Sequence, residues 1–276
     1  MYDFSFIEYS FNPADYTDIH SSLRRMGFVH RTQHKNNRVG FWVQQSCIIL
    51  LRESDNVVES GITGLGFITN GNDFIPALVP DLDTDMLMCF APDGMRLLFV
   101  PNDQMINMMT TNFETVDNSA HKPTGLNYIS SIVLNLDPVA EEFYKSLGFT
   151  NSKSGGNYRS IASANKRLSL IMTDEFPRNK KSLYIDTDDL FHSIACFSIA
   201  GVKECSTKSI DTPAGFGNLT HKIVGYKCFA TGNSNSYSIE KFYPDALHNT
   251  DVILRMRKQY ININETMLHT YYNECK

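Results

Sequence analysis

The sequence predicts an α+β fold built of paired βαβββ units in two halves. Two observations carry this expectation. A strand, helix cap, amphipathic helix and glycine stop recur along the chain, and segments of strand character follow each copy. The chain is also long enough, at 276 residues, for one large or two ordinary domains, and 42 % hydrophobic with 12 % aromatic residues can fill a substantial core.

The first copy starts with a strand over residues 4–11. Asn12-Pro13 then supplies a cap followed by proline, whose missing N–H would have no partner in a first helical turn. Tyr16, Ile19, Leu23 and Met26 fall on one helical face, and Gly27-Phe28 ends the helix. Strands follow over 28–31, 38–44 and 47–52. A shortened second unit covers 61–101: a glycine-containing strand at 61–69, a missing or reduced helix around 74–78, and a hairpin of 86–90 and 95–100 about Pro92-Asp93-Gly94. Residues 102–124 are polar and aperiodic after Met109, which marks a linker.

The most complete copy is LNYISSIVLNLDPVAEEFYKSLGF, residues 126–149. Ile129, Ser131, Val133 and Asn135 alternate with Tyr128, Ser130, Ile132 and Leu134, as in a strand covered on both faces. Asp137-Pro138 opens the helix, Val139, Ala140, Phe143, Tyr144 and Leu147 recur at helical spacing, and Gly148 closes it. A hairpin of 158–164 and 167–173 follows. A weaker copy begins near Lys181, with a strand at 182–186, a helix at 188–200 and late strands at 222–230 and 236–243. Residues 251–275 have helical character around 267–272.

Composition excludes several classes. A net charge of −5 argues against a general nucleic-acid binder, and the short basic run His30-Arg31, His34-Lys35 and Arg38 reads as a solvated hairpin. Six cysteines without a CxxC pair suit reduced core positions in a cytoplasmic protein. No leader and no apolar run of about 20 residues is visible, so no membrane segment is expected. P-loop, GxGxxG, HExxH and GxSxG patterns are absent. Gly215-Phe216-Gly217 reads as a flexible loop, and Asp186, Asp188 and Asp189 read as helix-capping acids.

The segments MGFVHRTQHKNNRVGFWVQQSCIILL (26–51), FYKSLGF (143–149), LYIDTDDL (183–190) and YSIEKF (237–242), in this order, resemble the vicinal-oxygen-chelate superfamily, the group of glyoxalases, bleomycin-resistance proteins and extradiol dioxygenases. Within it the layout is similar to 4-hydroxyphenylpyruvate dioxygenase-like proteins. The resemblance spans roughly residues 4–243. It implies units paired into two half-open barrel domains, each with an interior that can hold a small molecule. The domains would be 1–110, with the second unit shortened, and 125–245, joined by a linker at 111–124 and followed by a partly helical C-terminal extension at 246–276.

Catalytic members hold a divalent metal, iron in these dioxygenases, with two histidines and a glutamate that leave one face open. Carried over residue by residue, the glutamate falls on Glu240, but the histidines fall on Tyr128 and Ser182. A neutral alcohol is a poor metal ligand, and a phenol must lose a proton of pKa about 10 to compete. His121, His192 and His221 do not occupy first-strand ligand positions. The resemblance therefore implies a dioxygenase-like protein with a degenerate metal triad and no resident cofactor. Its barrel would bind a small aromatic or acidic ligand through Tyr128, Ser182, Glu240 and Phe242. Alternation puts Ser238, Glu240 and Phe242 on one strand face. Two alternatives stand beside this. One is a dioxygenase, lyase or isomerase using iron or another divalent metal with an altered ligand set that includes Glu240. The other is a non-catalytic interaction scaffold. A homodimer is compatible with all three.

Overall fold

The computed structural model describes residues 2–32, 38–56, 60–69, 78–84, 86–103, 105, 126–135, 137–155, 158–173, 181–187, 216–223, 226–231, 236–241 and 250–257. The helices expected at 188–200 and 267–272, the linker at 111–124, residues 74–77 and Phe242 lie outside them.

Two large sheets and few helices make up the described chain, which is the α+β class expected. The first sheet contains β1 (Tyr2–Phe11), β2 (Val29–Thr32), β3 (Val39–Gln44), β4 (Cys47–Glu53), β5 (Gly61–Thr69), β6 (Val79–Pro80), β7 (Leu87–Phe90) and β8 (Arg96–Pro101), in the order β2-β3-β4-β1-β5-β8-β7-β6. The second contains β9 (Leu126–Asn135), β10 (Thr150–Gly155), β11 (Tyr158–Ala162), β12 (Ser169–Thr173), β13 (Lys181–Thr187), β14 (Phe216–Ile223), β15 (Tyr226–Thr231), β16 (Ser236–Lys241) and β17 (Thr250–Arg257), in the order β10-β11-β12-β9-β13-β17-β16-β15-β14. At the centre of each sheet two strands run antiparallel, β1 with β5 and β9 with β13. Each of these four strands has a parallel neighbour on its other side: β4, β8, β12 and β17.

Two details differ from the sequence expectation. Phe216 and Gly217 begin β14 rather than lying in a loop, and His221 is on that strand instead of preceding one. Thr250–Arg257, expected in the C-terminal extension, is strand β17 and lies between β13 and β16. Its Val, Ile, Leu and Met suit a central strand covered by neighbours on both sides.

The two helices share one design. Helix α1 (Tyr16–Arg25) follows a short 3-10 turn at Pro13–Asp15, where the Asn12 side chain accepts from the Ala14 N–H. In α2 (Pro138–Ser146) the Asp137 carboxylate accepts from the Val139 and Ala140 N–H groups. Both end in a left-handed glycine, Gly27 at φ 85° and Gly148 at φ 96°. The residue after each glycine donates back into the helix, Phe28 to Leu23 and Phe149 to Tyr144. This closes the last carbonyls and turns the chain directly into a strand.

A single apolar core runs through both halves. Ile19, Leu23 and Met26 of α1 and Ile7, Tyr9 and Phe11 of β1 join Ile132 and Leu134 of β9, Ala140 and Tyr144 of α2, Phe149, Met172 and Leu183. The halves also meet through directed bonds. Gln44 Nε2 donates to the Met26 carbonyl, and its Oε1 accepts from the Leu126 N–H at 2.7 Å. Asn165 Nδ2 donates to the Phe4 carbonyl, and Tyr144 Oη donates to the Asp93 carboxylate at 3.0 Å. Among the described residues no helix is long and apolar enough to cross a membrane.

Candidate functional site

Each sheet has one face turned to the shared core and one turned away from it. On the first sheet the face turned away is filled. Phe6, Val39, Phe41, Leu50, Met86, Met88, Leu98, Val100 and Met105 form a second apolar cluster there. The Phe6 ring lies flat over Gly66, where a Cβ would sit 2.2 Å from Phe6 Cζ, so the strand has no room for a side chain at that point.

Beside that cluster is a buried ionic network. Glu8, 0 % exposed, accepts from Arg52 Nε at 2.5 Å and Arg96 Nη1 at 3.0 Å, while its other oxygen accepts from Thr63. Arg52, 4 % exposed, also donates to Asp81 at 2.7 Å and to Asp83. Burial pulls the Arg52 pKa down, but Glu8 and Asp81 outweigh it and raise the pKa overall. The guanidinium is used on all three nitrogens, so this cluster ties the 78–84 segment to β1 and β4.

The same face of the second sheet has another character. Register connects Ser169, Ser131, Tyr184, Ile253 and Glu240 as one cross-strand row through β12, β9, β13, β17 and β16. On the first sheet the row through Glu8 is Leu50, Glu8, Gly64, Arg96 and Phe90. Ser131, Ser160 and Thr173 are buried on this second face together with Val133 and Ile171. Ser160 and Ser152 hydrogen-bond to each other at 2.7 Å.

Register also locates the residues expected from sequence. Tyr128 on β9 is half-buried and pairs with Asp186 of β13. Ser182 pairs with Val133 on one side and Asp251 on the other. Glu240 pairs with Ile253, which pairs with Tyr184. Positions 128, 182 and 240 therefore belong to one face but to three different rows. Four residues along β13 separate the rows of Tyr128 and Ser182, about 13 Å at strand rise. Phe242, His121 and His192 are outside the described residues.

Sequence reasoning missed Ser131, Tyr184 and Asp251, the positions that register sets level with Glu240 or opposite Ser182. The reason for the first is a bulge. β9 skips Ser130 in its pairing with β13, so Tyr128 shares a face with Ser131 and Val133, and strict alternation no longer holds. At the start of β13, on the core side, Lys181 is pulled below the usual lysine pKa by burial, with Asp93 acting against it. Among the described residues no three His, Cys, Asp or Glu side chains group to hold a metal ion.

The strand order and the two-sheet arrangement are shared with solved structures of dioxygenase-type proteins. The chain aligns over its whole length with a xylose isomerase-like TIM barrel/4-hydroxyphenylpyruvate dioxygenase fusion protein, at a TM-score of 0.64 and 17 % identity, and spans 52 % of that protein. A mutant 4-hydroxymandelate synthase from Streptomyces coelicolor aligns over 97 % of this chain and 96 % of its own, at a TM-score of 0.58 and 12 % identity. A halotolerant catechol dioxygenase aligns over 92 % of this chain and 86 % of its own, at a TM-score of 0.56 and 11 % identity. No family model and no curated protein matches the sequence. At these identities the likeness is one of fold.

Proposed function

We propose that each sheet curls into a half-open barrel of two βαβββ units. In this reading the second barrel binds a small organic ligand, aromatic or acidic, without the standard iron chemistry of the dioxygenases. Tyr128, Ser182 and Glu240 contribute hydrogen-bonding groups to that interior, with Ser131 as a further member.

One contrast carries this reading. The row through Glu8 on the first sheet holds Leu50, Glu8, Gly64, Arg96 and Phe90, while the row through Ser131 on the same side of the second holds Ser169, Ser131, Tyr184, Ile253 and Glu240. Small hydroxyl side chains at buried positions leave volume and directional donors, which is what a ligand site needs and a packed core does not. A two-histidine, one-carboxylate iron site does not fit the donors present. The resemblance sets a phenol, Tyr128, and an alcohol, Ser182, in place of its imidazoles, and their rows lie about 13 Å apart, too far to serve one ion.

The test is the metal content of the purified full chain, with thermal shift against a panel of aromatic carboxylic acids. The proposal expects substoichiometric iron, zinc and manganese and a saturable stabilisation by at least one acid. Tightly bound metal at one equivalent would end it.

A second reading is favoured by one observation: Asp251 stands opposite Ser182, and Glu240 lies one strand further and two residues along. Cross-strand neighbours of this kind are within reach of a common ion. Two carboxylates would suit a hard cation such as manganese or magnesium better than iron. This reading expects Glu240→Gln and Asp251→Asn each to abolish manganese binding by titration calorimetry while the circular dichroism spectrum is kept. Wild-type-like binding in both variants would remove it.

A further inference from the structure

Between α1 and the core-side face of the first sheet lies a cluster of aromatic rings that plays no part in the site above. His20 of α1 stacks on Tyr16 at 3.9 Å between ring centroids, and meets His30 of β2 edge-on at 5.4 Å and Trp42 of β3 at 5.1 Å. His30 stacks on Trp42 at 4.7 Å. Both histidines are at least nine-tenths buried, at 9 % and 8 % exposure, and the Trp42 Nε1–H is buried without a hydrogen-bond partner.

The electrostatic surroundings of the pair are one-sided. From α1, Arg24 acts on both imidazoles, and the two imidazoles face each other across the α1–β2 contact. β1 and β3 contribute Phe11 and Trp42, which do not titrate. Among the described residues no carboxylate acts on either ring. Burial, then His30, then Arg24 lower the His20 pKa to about 4; burial and then Arg24 lower that of His30 to about 4.

We propose that His20 and His30 form an acid-sensitive latch: neutral rings hold α1 on the first sheet, and their protonation releases the helix while the sheets persist. A cation formed inside the cluster would lie about 5 Å from a second imidazole and near Arg24, with no acid among the described residues to compensate it. Release hydrates both rings and gives the Trp42 N–H a partner in water. The direction follows from proton binding. The released form carries imidazoles of ordinary pKa, about 6.5, and binds protons more readily than the closed form. The latch is therefore fully closed above pH 6.5 and weakens as pH falls from there toward 4. At pH 5 an exposed imidazole is protonated in about 30-fold excess, so each histidine released raises the opening constant about 30-fold.

The test is hydrogen exchange of the full chain at pH 7.5 and pH 5.0, corrected for intrinsic rates. Peptides over Tyr16–Arg25 should lose at least about tenfold in protection, while those over β3, β4 and β12 keep theirs. Trp42, the only tryptophan, should shift its emission to the red over the same range. In the His20→Gln, His30→Gln variant both changes should vanish. An α1 whose protection is independent of pH, or equally pH-dependent in the variant, overturns the latch. Should the variant not fold, imidazole carbon shifts of the wild-type chain decide: a His20 or His30 ring that titrates above pH 5.5 in the closed state is incompatible with it.

Discussion

Arg52 is held by three carboxylates from two directions, Glu8 on its own sheet and Asp81 and Asp83 on the segment that crosses over it. Removing the guanidinium leaves Glu8 to Arg96 and Thr63 and Asp81 to Thr84 in a buried setting, which costs more than the pair contributes when intact. Arg52→Met should destabilise the chain by about 3–5 kcal/mol in urea unfolding. Adding Glu8→Leu to it should recover part of the loss, because the uncompensated charge goes with its partner. No recovery would mean that the network acts through packing alone. Gly66 gives a second residue-scale prediction. A Cβ there collides with the centre of the Phe6 ring, so Gly66→Ala should cost about 1–3 kcal/mol by overpacking, and Phe6→Leu in the same chain should relieve it. The glycines of GITGLGF invite a close-packing reading from sequence alone. That a phenyl ring fills the space above Gly66 does not follow from them, since it depends on the register of β1 against β5.

At the scale of elements, the parts most legible in the sequence were those governed by local rules. The capping Asn12 and Asp137, the prolines after them and the glycine stops all act within a turn of the residues that announce them. Bulges and strand neighbours are set by partners far along the chain. The skipped Ser130 moves Tyr128 onto the face of Ser131, and β17 enters the sheet beside β13 across more than sixty intervening residues. Those two facts decide which side chains can share a site with Glu240. The β3–β4 hairpin shows a third kind of information. Gln45 adopts φ 50° at its turn, and Gln44, read only as the end of a strand, is 5 % exposed and bridges Met26 and Leu126. Gln44→Leu removes the donor to the Met26 carbonyl and the acceptor of the Leu126 N–H, and an N–H buried without a partner costs about 1–3 kcal/mol. The expected result is a lower urea midpoint together with faster amide exchange at Leu126. An unchanged Leu126 rate would show that another acceptor takes over.

For the whole molecule the question is whether two sheets mean two folding units. A chain with separate barrels would have two cores, whereas here α2 and Phe149 of the second half pack against Phe67 and the Asp93 turn of the first. Phe67 and Phe149 meet edge-on at 6.0 Å, and Phe67 stacks on Phe99 at 5.6 Å, so a ring from the second half completes an aromatic row of the first. A shared core of this kind couples the halves, because neither can expose its helix-side face without the other losing buried area. Trp42 is a probe in the first half, buried at 0 % exposure against His20 and His30. Phe149→Ala removes a ring from the other half, a change of about 3–5 kcal/mol in a packed core. In a coupled molecule that substitution should lower the urea midpoint seen by Trp42 fluorescence as much as the midpoint seen by far-ultraviolet circular dichroism. If the Trp42 transition stays in place while the dichroism transition splits, the two sheets unfold independently. The contacts of Phe149, Tyr144 and Gln44 would then be contacts between finished domains and not part of one core.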